Sequence, residues 1–176
     1  TVATGDAAAV VLAYRACVFD DMEGIVEIDR NVTAIKVSRE SRTASAMTGA
    51  ALITAGKDIF ALPQIARLAQ KVGQGECEGH QATAYGTLAG GLGFTEQEAV
   101  TSFLWTSLSS LIGVVQRLTP LGQTESQRIV ANAAPLVERC AEIAQSRELN
   151  QLASSFAALD IASMRHERIK SRLCIS

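Results

Sequence analysis

The stretch that decides the fold reads Thr95-Glu-Gln-Glu-Ala-Val-Thr-Ser-Phe-Leu-Trp-Thr-Ser-Leu-Ser-Ser-Leu-Ile-Gly-Val-Val-Gln-Arg-Leu-Thr-Pro-Leu-Gly122. It opens with a capping-box pattern, in which Thr95 and Glu98 each accept a hydrogen bond from the backbone of the other. Apolar residues then recur every three or four positions on one broad helical face: Val100, Phe103, Leu104, Leu108, Leu111, Val115 and Leu118. Pro120 and Gly122 end the pattern. The stretch predicts a long amphipathic helix, which we expect to be the central helix of the protein.

Residues 99–116 of this helix carry no charge, and such a run approaches the length of a membrane span. Six of these eighteen residues are Ser or Thr, however, and Arg117 follows directly. Because so many hydroxyl groups suit lipid poorly, the sequence favours a helix buried on several sides of a folded protein and excludes a membrane partner.

Helical spacing also dominates the rest of the chain, and no stretch reads as a convincing strand. The expected helices before residue 75 cover residues 6–20, 22–35, 41–54 and 58–72. Ser38 is the expected cap of the third of these, and Gly56 is its expected end. Asp58 then opens the fourth.

Two further segments complete the helical pattern. In a segment rich in small residues, Ala82, Gly86 and Gly90 fall four residues apart, which lets a neighbouring helix approach closely. A second capping-box pattern at residues 124–127 opens a long helix, and Pro135 in its interior should bend or split it. No repeat, low-complexity tract or linker is evident. The sequence therefore predicts an all-α fold, a single-domain helical bundle of about seven helices.

Composition narrows the class of protein. With 48% hydrophobic residues in 176, the chain can build a sizeable core. A net charge of -2 argues against a nucleic-acid partner, because phosphate neutralisation needs a clustered basic surface. The four cysteines are widely spaced and no secretory signal is visible, so we expect reduced thiols in a cytoplasmic protein. The chain begins at Thr1 rather than Met, and we expect an N-terminal piece to precede it.

The C-terminal residues 160–176, termed the tail, differ from the helical body at residues 1–159. The tail reads Asp-Ile-Ala-Ser-Met-Arg-His-Glu-Arg-Ile-Lys-Ser-Arg-Leu-Cys-Ile-Ser, with four cations against two acids. Its apolar residues scatter over roughly half of a helical wheel. The tail therefore gains little by folding alone, and we expect it to dock on an acidic protein surface.

A nucleotide site receives little support. Gly56-Lys57 resembles the end of a phosphate-binding loop, but Asp58 stands where Ser or Thr must bind magnesium. The later glycines do not fit a dinucleotide fingerprint, and no strand precedes them.

Metal and hydrolase sites are also weakly supported. Cys77 and His80 lie three residues apart and His166 is available, but a structural zinc site normally needs two close ligand pairs. Asp160, Ser163 and His166 include the residue types of a hydrolase triad. A charged tail, however, offers no buried carboxylate and no oxyanion pocket, so helix capping or partner contact suits these residues better.

Several sequence motifs match those of one protein family. They are residues 160–167 with Ser171-Arg172-Leu173 in the tail, the turn and helix start at residues 120–128, the hydroxyl-rich residues 103–110 and the small residues 80–86. In these motifs the chain resembles the UreF family of urease accessory proteins. The likeness runs over nearly the whole chain and is strongest from Pro120 onward.

The chain departs from the family pattern at both ends. The usual opening segment, Leu-Pro-x-Gly-x-Phe-Ser, is not found, so we expect this N-terminal family segment to be absent here. In the tail, Ile169-Lys170 stands where the family has Leu-Tyr, and Cys174-Ile175 replaces an aromatic-basic pair. These changes remove two aromatic anchors from the expected interface.

The resemblance implies an all-α homodimer without catalysis of its own. It further implies partners: the accessory protein UreD (also called UreH), the GTPase UreG and apo-urease, to which the assembly delivers nickel. Nickel would then be handled by the complex and GTP by UreG, so this chain would hold no cofactor and no metal.

Under this resemblance, we expect the tail to become ordered on UreD. The expected partner-binding residues are Asp160, Ser163, Met164, Arg165, His166, Glu167, Arg168, Ile169, Ser171, Arg172 and Leu173 in the tail, with Gln123, Gln127 and Arg128 before it. The cations would make charge-assisted contacts while the apolar side chains fill gaps. The alternative is a small helical nickel-binding carrier that uses Cys77, His80 and His166.

Overall fold

The structure is a computed structural model that describes residues 2–153, 161, 162 and 164. Within residues 2–153 there are eight α-helices, one short 3₁₀-helix and no strand. The α-helices are α1 (Asp6–Val18), α2 (Met22–Ile35), α3 (Arg39–Phe60), α4 (Pro63–Gly73), α5 (Gln81–Gly91), α6 (Glu96–Leu118), α7 (Gln123–Asn132) and α8 (Ala134–Gln145), and the 3₁₀-helix is Leu149–Gln151. The predicted all-α, single-domain bundle is confirmed.

The central helix of the bundle is α1, which contacts α2, α5, α6 and α8. Its buried residues are mostly alanine and valine. Because alanine side chains are short, other helices can pack closely against α1 from several directions. The prediction that α6 is the central helix is therefore wrong, since α6 is buried mainly between residues 99 and 104.

Helix α5 makes the closest approach to α1. A methyl group added at Gly86 would overlap the Val10 carbonyl oxygen and lie 2.9 Å from the Ala13 Cβ. A methyl group at Gly90 would lie 3.0 Å from the Cys17 sulfur. The predicted role of these glycines in close helix packing is confirmed, and the neighbouring helix is α1.

Helix α3 is longer than predicted because Gly56 does not end it. Gly56 is buried against side chains of α4 and α5, so its missing side chain serves packing within the helix. The helix ends instead at Ala61, which has a left-handed φ of 51° and lies two residues before Pro63 opens α4. Asp58 therefore lies inside α3, and the prediction that it opens the next helix is wrong.

The predicted long helix from residue 124 is two helices. Pro135 lies in the first turn of α8, and the chain breaks at Ala133 between α7 and α8. The predicted split is confirmed. The second predicted capping box is wrong, because α7 already begins at Gln123 and its N-cap, Gly122, has no side chain to accept a hydrogen bond.

Candidate protein-binding surface

Helix α6 carries an apolar stripe that is covered at one end and uncovered at the other. In its N-terminal half, Phe103 and Leu104 pack into the core and are only 3% and 6% exposed. In its C-terminal half, Leu111, Val115 and Leu118 continue the same helical face but are 58%, 44% and 54% exposed. These three residues are termed the α6 stripe. Large apolar side chains clustered on a surface mark sites of association.

Helix α7 adjoins the α6 stripe but leaves it uncovered. Ser126 is the only residue of α7 that is buried, so this helix adds little to the core. Gln116 Nε2 on α6 donates to Gln123 Oε1 at 3.1 Å, which ties the two helices together. Gln127 and Arg128 are exposed. The three predicted partner-binding residues of α7 thus lie on the surface next to α6, and their role stays a prediction.

An open groove of about 620 Å³ lies along the first half of α6, between that helix and α8. Its lining combines the aromatic rings of Phe94 and Trp105 with the carboxylates of Glu98 and Glu138. The groove and the α6 stripe together leave apolar atoms of α6 accessible along most of the helix.

Hydrogen bonds fix the N-terminal end of α6 to the body. Arg15 donates to both carboxylate oxygens of Glu96, at 2.7 Å and 2.8 Å, and Gln145 Nε2 donates to the same carboxylate at 3.2 Å. The Arg15 hydrogen bonds hold the pKa of Glu96 below its ordinary value. The predicted capping box is confirmed, since the Thr95 hydroxyl accepts the Glu98 N–H at 3.2 Å and Glu98 accepts the Thr95 N–H at 2.8 Å. The N-terminal end of α6 is therefore held firmly against α1 and α8.

Most of the predicted tail residues lie outside the described part of the chain. Met164 is described together with Ile161 and Ala162; all three are helical, and Met164 is 39% exposed. The residues outside are Asp160, Ser163, Arg165, His166, Glu167, Arg168, Ile169, Ser171, Arg172 and Leu173. Their partner-binding role stays a prediction, as does the division at residue 159.

The described geometry gives no support to the carrier alternative. Among the described residues, no group of three or more His, Cys, Asp or Glu side chains is placed to hold a metal ion. Cys77 is buried, and burial raises the pKa of its thiol to about 11, which disfavours the thiolate that binds metals. His80 is fully buried as well, and His166 lies outside the described residues.

Within the described residues, α6 is the one helix long and apolar enough to cross a membrane by length and composition. Only 28% of the residues in its most apolar stretch are buried. The prediction that α6 is buried on several sides is therefore wrong for its C-terminal half. The first half packs in the core of the bundle, which agrees with its predicted place in a folded body.

Sequence reasoning identified the apolar face of α6 but missed that half of it is uncovered. The sequence feature that could have indicated this exposure is the length of the predicted helices. Helix α6 has 23 residues, whereas its packing partners α1 and α8 have 13 and 12. At 1.5 Å per residue, α6 is roughly 35 Å long and its partners are roughly 20 Å or less. Helices of that length can cover only part of the stripe.

A helical body with a partly exposed apolar helix is typical of proteins that associate with other proteins. Comparison with known proteins identifies the family of the chain. The UreF family model matches residues 1–134. The chain is 34% identical over 178 residues to urease accessory protein UreF of Kocuria rhizophila, a match that covers 97% of this chain and 74% of the relative.

Other bacterial relatives show similar likeness. The chain is 29% identical over 168 residues to urease accessory protein UreF of Bacillus sp. strain TB-90, covering 96% of this chain and 74% of the relative. The chain is 28% identical over 174 residues to the Sporosarcina pasteurii protein of the same name, a match that covers 99% of this chain and 86% of the relative. The chain belongs to the UreF family of urease accessory proteins. It is an accessory protein and not itself an enzyme.

Proposed function

We propose that this protein is an adaptor in urease maturation. It binds UreD (UreH), recruits the GTPase UreG and so helps bring nickel to apo-urease in the cytoplasm. The observation that carries the proposal is the family match over residues 1–134. The α6 stripe adds support, because an adaptor needs accessible surface for more than one partner.

The tail is the proposed contact with UreD. It becomes ordered on the partner, where Arg165, His166, Arg168 and Arg172 make charge-assisted hydrogen bonds and Met164, Ile169 and Leu173 fill apolar gaps. Support comes from the excess of cations in its sequence and from the exposed Met164 side chain.

A binding comparison tests this contact. The full chain, a chain ended at Leu159 and an Arg172→Ala variant are each presented to purified UreD in a pull-down and in calorimetry. We expect loss of capture for the shortened chain and at least about tenfold weaker binding for Arg172→Ala. Lys57→Ala, which removes an exposed cation on α3, is the matched control and should bind like the wild type. Equal UreD capture by the full and shortened chains would refute the proposed contact.

A second copy of the chain is the proposed partner of the α6 stripe. One row of α6 residues follows alternating steps of three and four positions: Thr101, Leu104, Leu108, Leu111, Val115 and Leu118. This spacing is the heptad pattern with which helices pair lengthwise. Because only the first part of this row is covered by the body, pairing with the same helix of another copy would bury the rest.

We further propose that the chain holds no metal or cofactor of its own, because nickel and GTP are bound by its partners. Nickel titration of the isolated chain by calorimetry should show no tight stoichiometric binding. One tightly bound nickel ion per chain would instead favour the carrier alternative, and loss of that binding in a His166→Ala variant would identify a ligand.

A further inference from the structure

The loop between α4 and α5, residues 74–80, is anchored by one buried carboxylate. Asp29 on α2 is fully buried. Its Oδ2 accepts the N–H groups of Glu78 and Gly79 at 2.7 Å and 2.9 Å, and its Oδ1 accepts the N–H of His80 at 2.7 Å. Three charge-assisted hydrogen bonds compensate the burial of this charge and tie the loop to α2.

The His80 ring, which is also fully buried, has one hydrogen-bonded nitrogen. Its Nε2 lies 2.9 Å from the Thr33 hydroxyl oxygen, and that hydroxyl donates its single proton to the Asp29 carbonyl at 3.1 Å. In the tautomer that satisfies both contacts, the proton shared with His80 comes from Nε2. The Nδ1 atom is left with a lone pair and is buried without a hydrogen-bond partner.

Helix α3 closes this site from the other side. A methyl group at Gly49 would overlap the Gly79 carbonyl oxygen and lie 2.7 Å from the His80 carbonyl carbon. The backbone of α3 thus lies directly against the loop and leaves it little space in which to rearrange while the helices stay packed.

Charged groups approach His80 from two other elements and from its own loop. They are Asp29 of α2 and Lys36 immediately after it, Glu78 of the loop and Asp6 of α1. Lys36 Nζ is paired with Asp6 at 2.8 Å. Burial of the ring is the main effect and lowers the pKa of His80, although the nearby carboxylates act in the opposite direction.

We propose that His80 is a proton-sensitive latch, which holds residues 74–80 between α2 and α3 when neutral and releases them with the first turn of α5 when protonated. A proton on Nδ1 adds a charge and an N–H without an acceptor to a buried site, and both are costly. Because α5 contacts α1, α3, α4 and α6, release of its first turn loosens the packing of α5 against these four helices. The latch does not depend on the adaptor role.

The direction of the pH effect follows from the lowered pKa. The open state binds the proton more readily than the closed state, so acid favours opening. The stability that His80 lends to the closed loop is fully present above the ordinary histidine pKa of about 6.5 and is lost as the pH falls below it.

Amide hydrogen exchange tests the latch in the full-length protein. Exchange at residues 78–80, corrected for its intrinsic pH dependence, is compared at about pH 7.5 and about pH 5. In the wild type we expect protection to fall at least about tenfold. His80→Gln places an amide nitrogen where Nε2 donates to Thr33 but does not titrate, so its protection should change less than about twofold. His166→Gln, which removes the other histidine, should behave like the wild type.

A parallel loss of protection in the wild type and His80→Gln would overturn the latch, because Asp29 and Glu78 are retained in both. Nuclear magnetic resonance of the wild type gives a second test that needs no variant. The amides of residues 78–80 should shift with the same midpoint as the His80 ring carbons. Amides that stay unchanged while the ring titrates would contradict the proposal.

Discussion

At the scale of single residues, one turn of α5 contains an unpaired buried hydroxyl. Thr83 is fully buried, and its Oγ has no hydrogen-bond partner among the described residues. The Thr87 hydroxyl one turn later donates to the Thr83 carbonyl at 2.8 Å. Leaving a buried hydroxyl unpaired costs free energy, whereas a methyl group of the same shape does not.

We therefore expect Thr83→Val to raise the free energy of unfolding by about 1 kcal/mol, because it replaces the unpaired hydroxyl with a methyl group. Urea denaturation at neutral pH measures the change. Thr87→Val is the matched control: it removes a hydroxyl that is hydrogen-bonded and should not stabilise the protein. A less stable Thr83→Val variant would show that the hydroxyl has a partner, such as a buried water molecule.

At the scale of elements, close backbone contact predicts which glycines cannot be replaced without loss of stability. Gly49→Ala should lower the free energy of unfolding by at least about 3 kcal/mol, because its methyl group would overlap the backbone of residues 79–81. Gly113→Ala is the control, since a methyl group there meets nothing within 4 Å. That substitution should stabilise α6 by roughly 0.5–1 kcal/mol through helix propensity. Thermal unfolding of both variants checks the contrast, and similar effects at the two positions would contradict it.

The ion pair at the base of α6 predicts a pH dependence of stability. The pKa of Glu96 is lowered in the folded protein by its hydrogen bonds from Arg15, so the unfolded chain binds a proton there more readily. Its contribution is present above the ordinary glutamate pKa of about 4.3 and is lost as the pH falls through the lower folded value.

Glu96→Gln should lower the free energy of unfolding at neutral pH by about 1 kcal/mol, a figure that allows for screening of a partly exposed pair. The difference from the wild type should shrink as the pH falls from about 4.3 through the lower folded pKa of Glu96, because the wild type then loses the charge as well. Urea denaturation across this range measures it. Glu142→Gln on the exposed side of α8 should be nearly neutral throughout. A difference that persists unchanged in acid would argue against an ionic contribution.

Element boundaries were predictable where the signal is local. Residues 22–35 were predicted as a helix and form one, because Asp21 accepts the Gly24 N–H at its start and no strong breaker interrupts it. Gly56 misled the prediction of α3 because glycine both ends helices and permits close packing. Only the neighbours of Gly56 reveal which of these two roles it has.

At the scale of the whole molecule, the α6 stripe predicts an effect on self-association. Val115→Glu should weaken the proposed homodimer at least about tenfold, because it puts a charge into a face that would be buried between copies. Sedimentation or multi-angle light scattering over a range of concentrations measures this. Phe19→Glu is the matched control, since Phe19 is an 82% exposed apolar residue directly after α1 and is not part of the stripe. A wild type that remains monomeric at every concentration would contradict the homodimer, and equal effects of both variants would place the contact elsewhere.

The tail could be singled out from sequence because its clustered cations and scattered apolar residues differ from the rest of the chain. Its partner could be named only through family resemblance. Composition alone indicates the kind of surface that the tail prefers, namely an acidic protein surface. The order of the proposed assembly with UreD, UreG and urease would depend on complementary surfaces of those proteins, which this sequence does not encode.

By itself, the sequence determined the helical class, the capping box at Thr95 and Glu98, the break near Pro135 and the small-residue contact at Gly86. Each of these depends on backbone sterics or hydrogen bonds within a few residues. Only the tertiary structure decided that α1 is central, that Leu111, Val115 and Leu118 of α6 are exposed and that Asp29 holds a loop about fifty residues away. The reason is that burial depends on the relative lengths and positions of helices far apart in the chain, which local patterns do not specify.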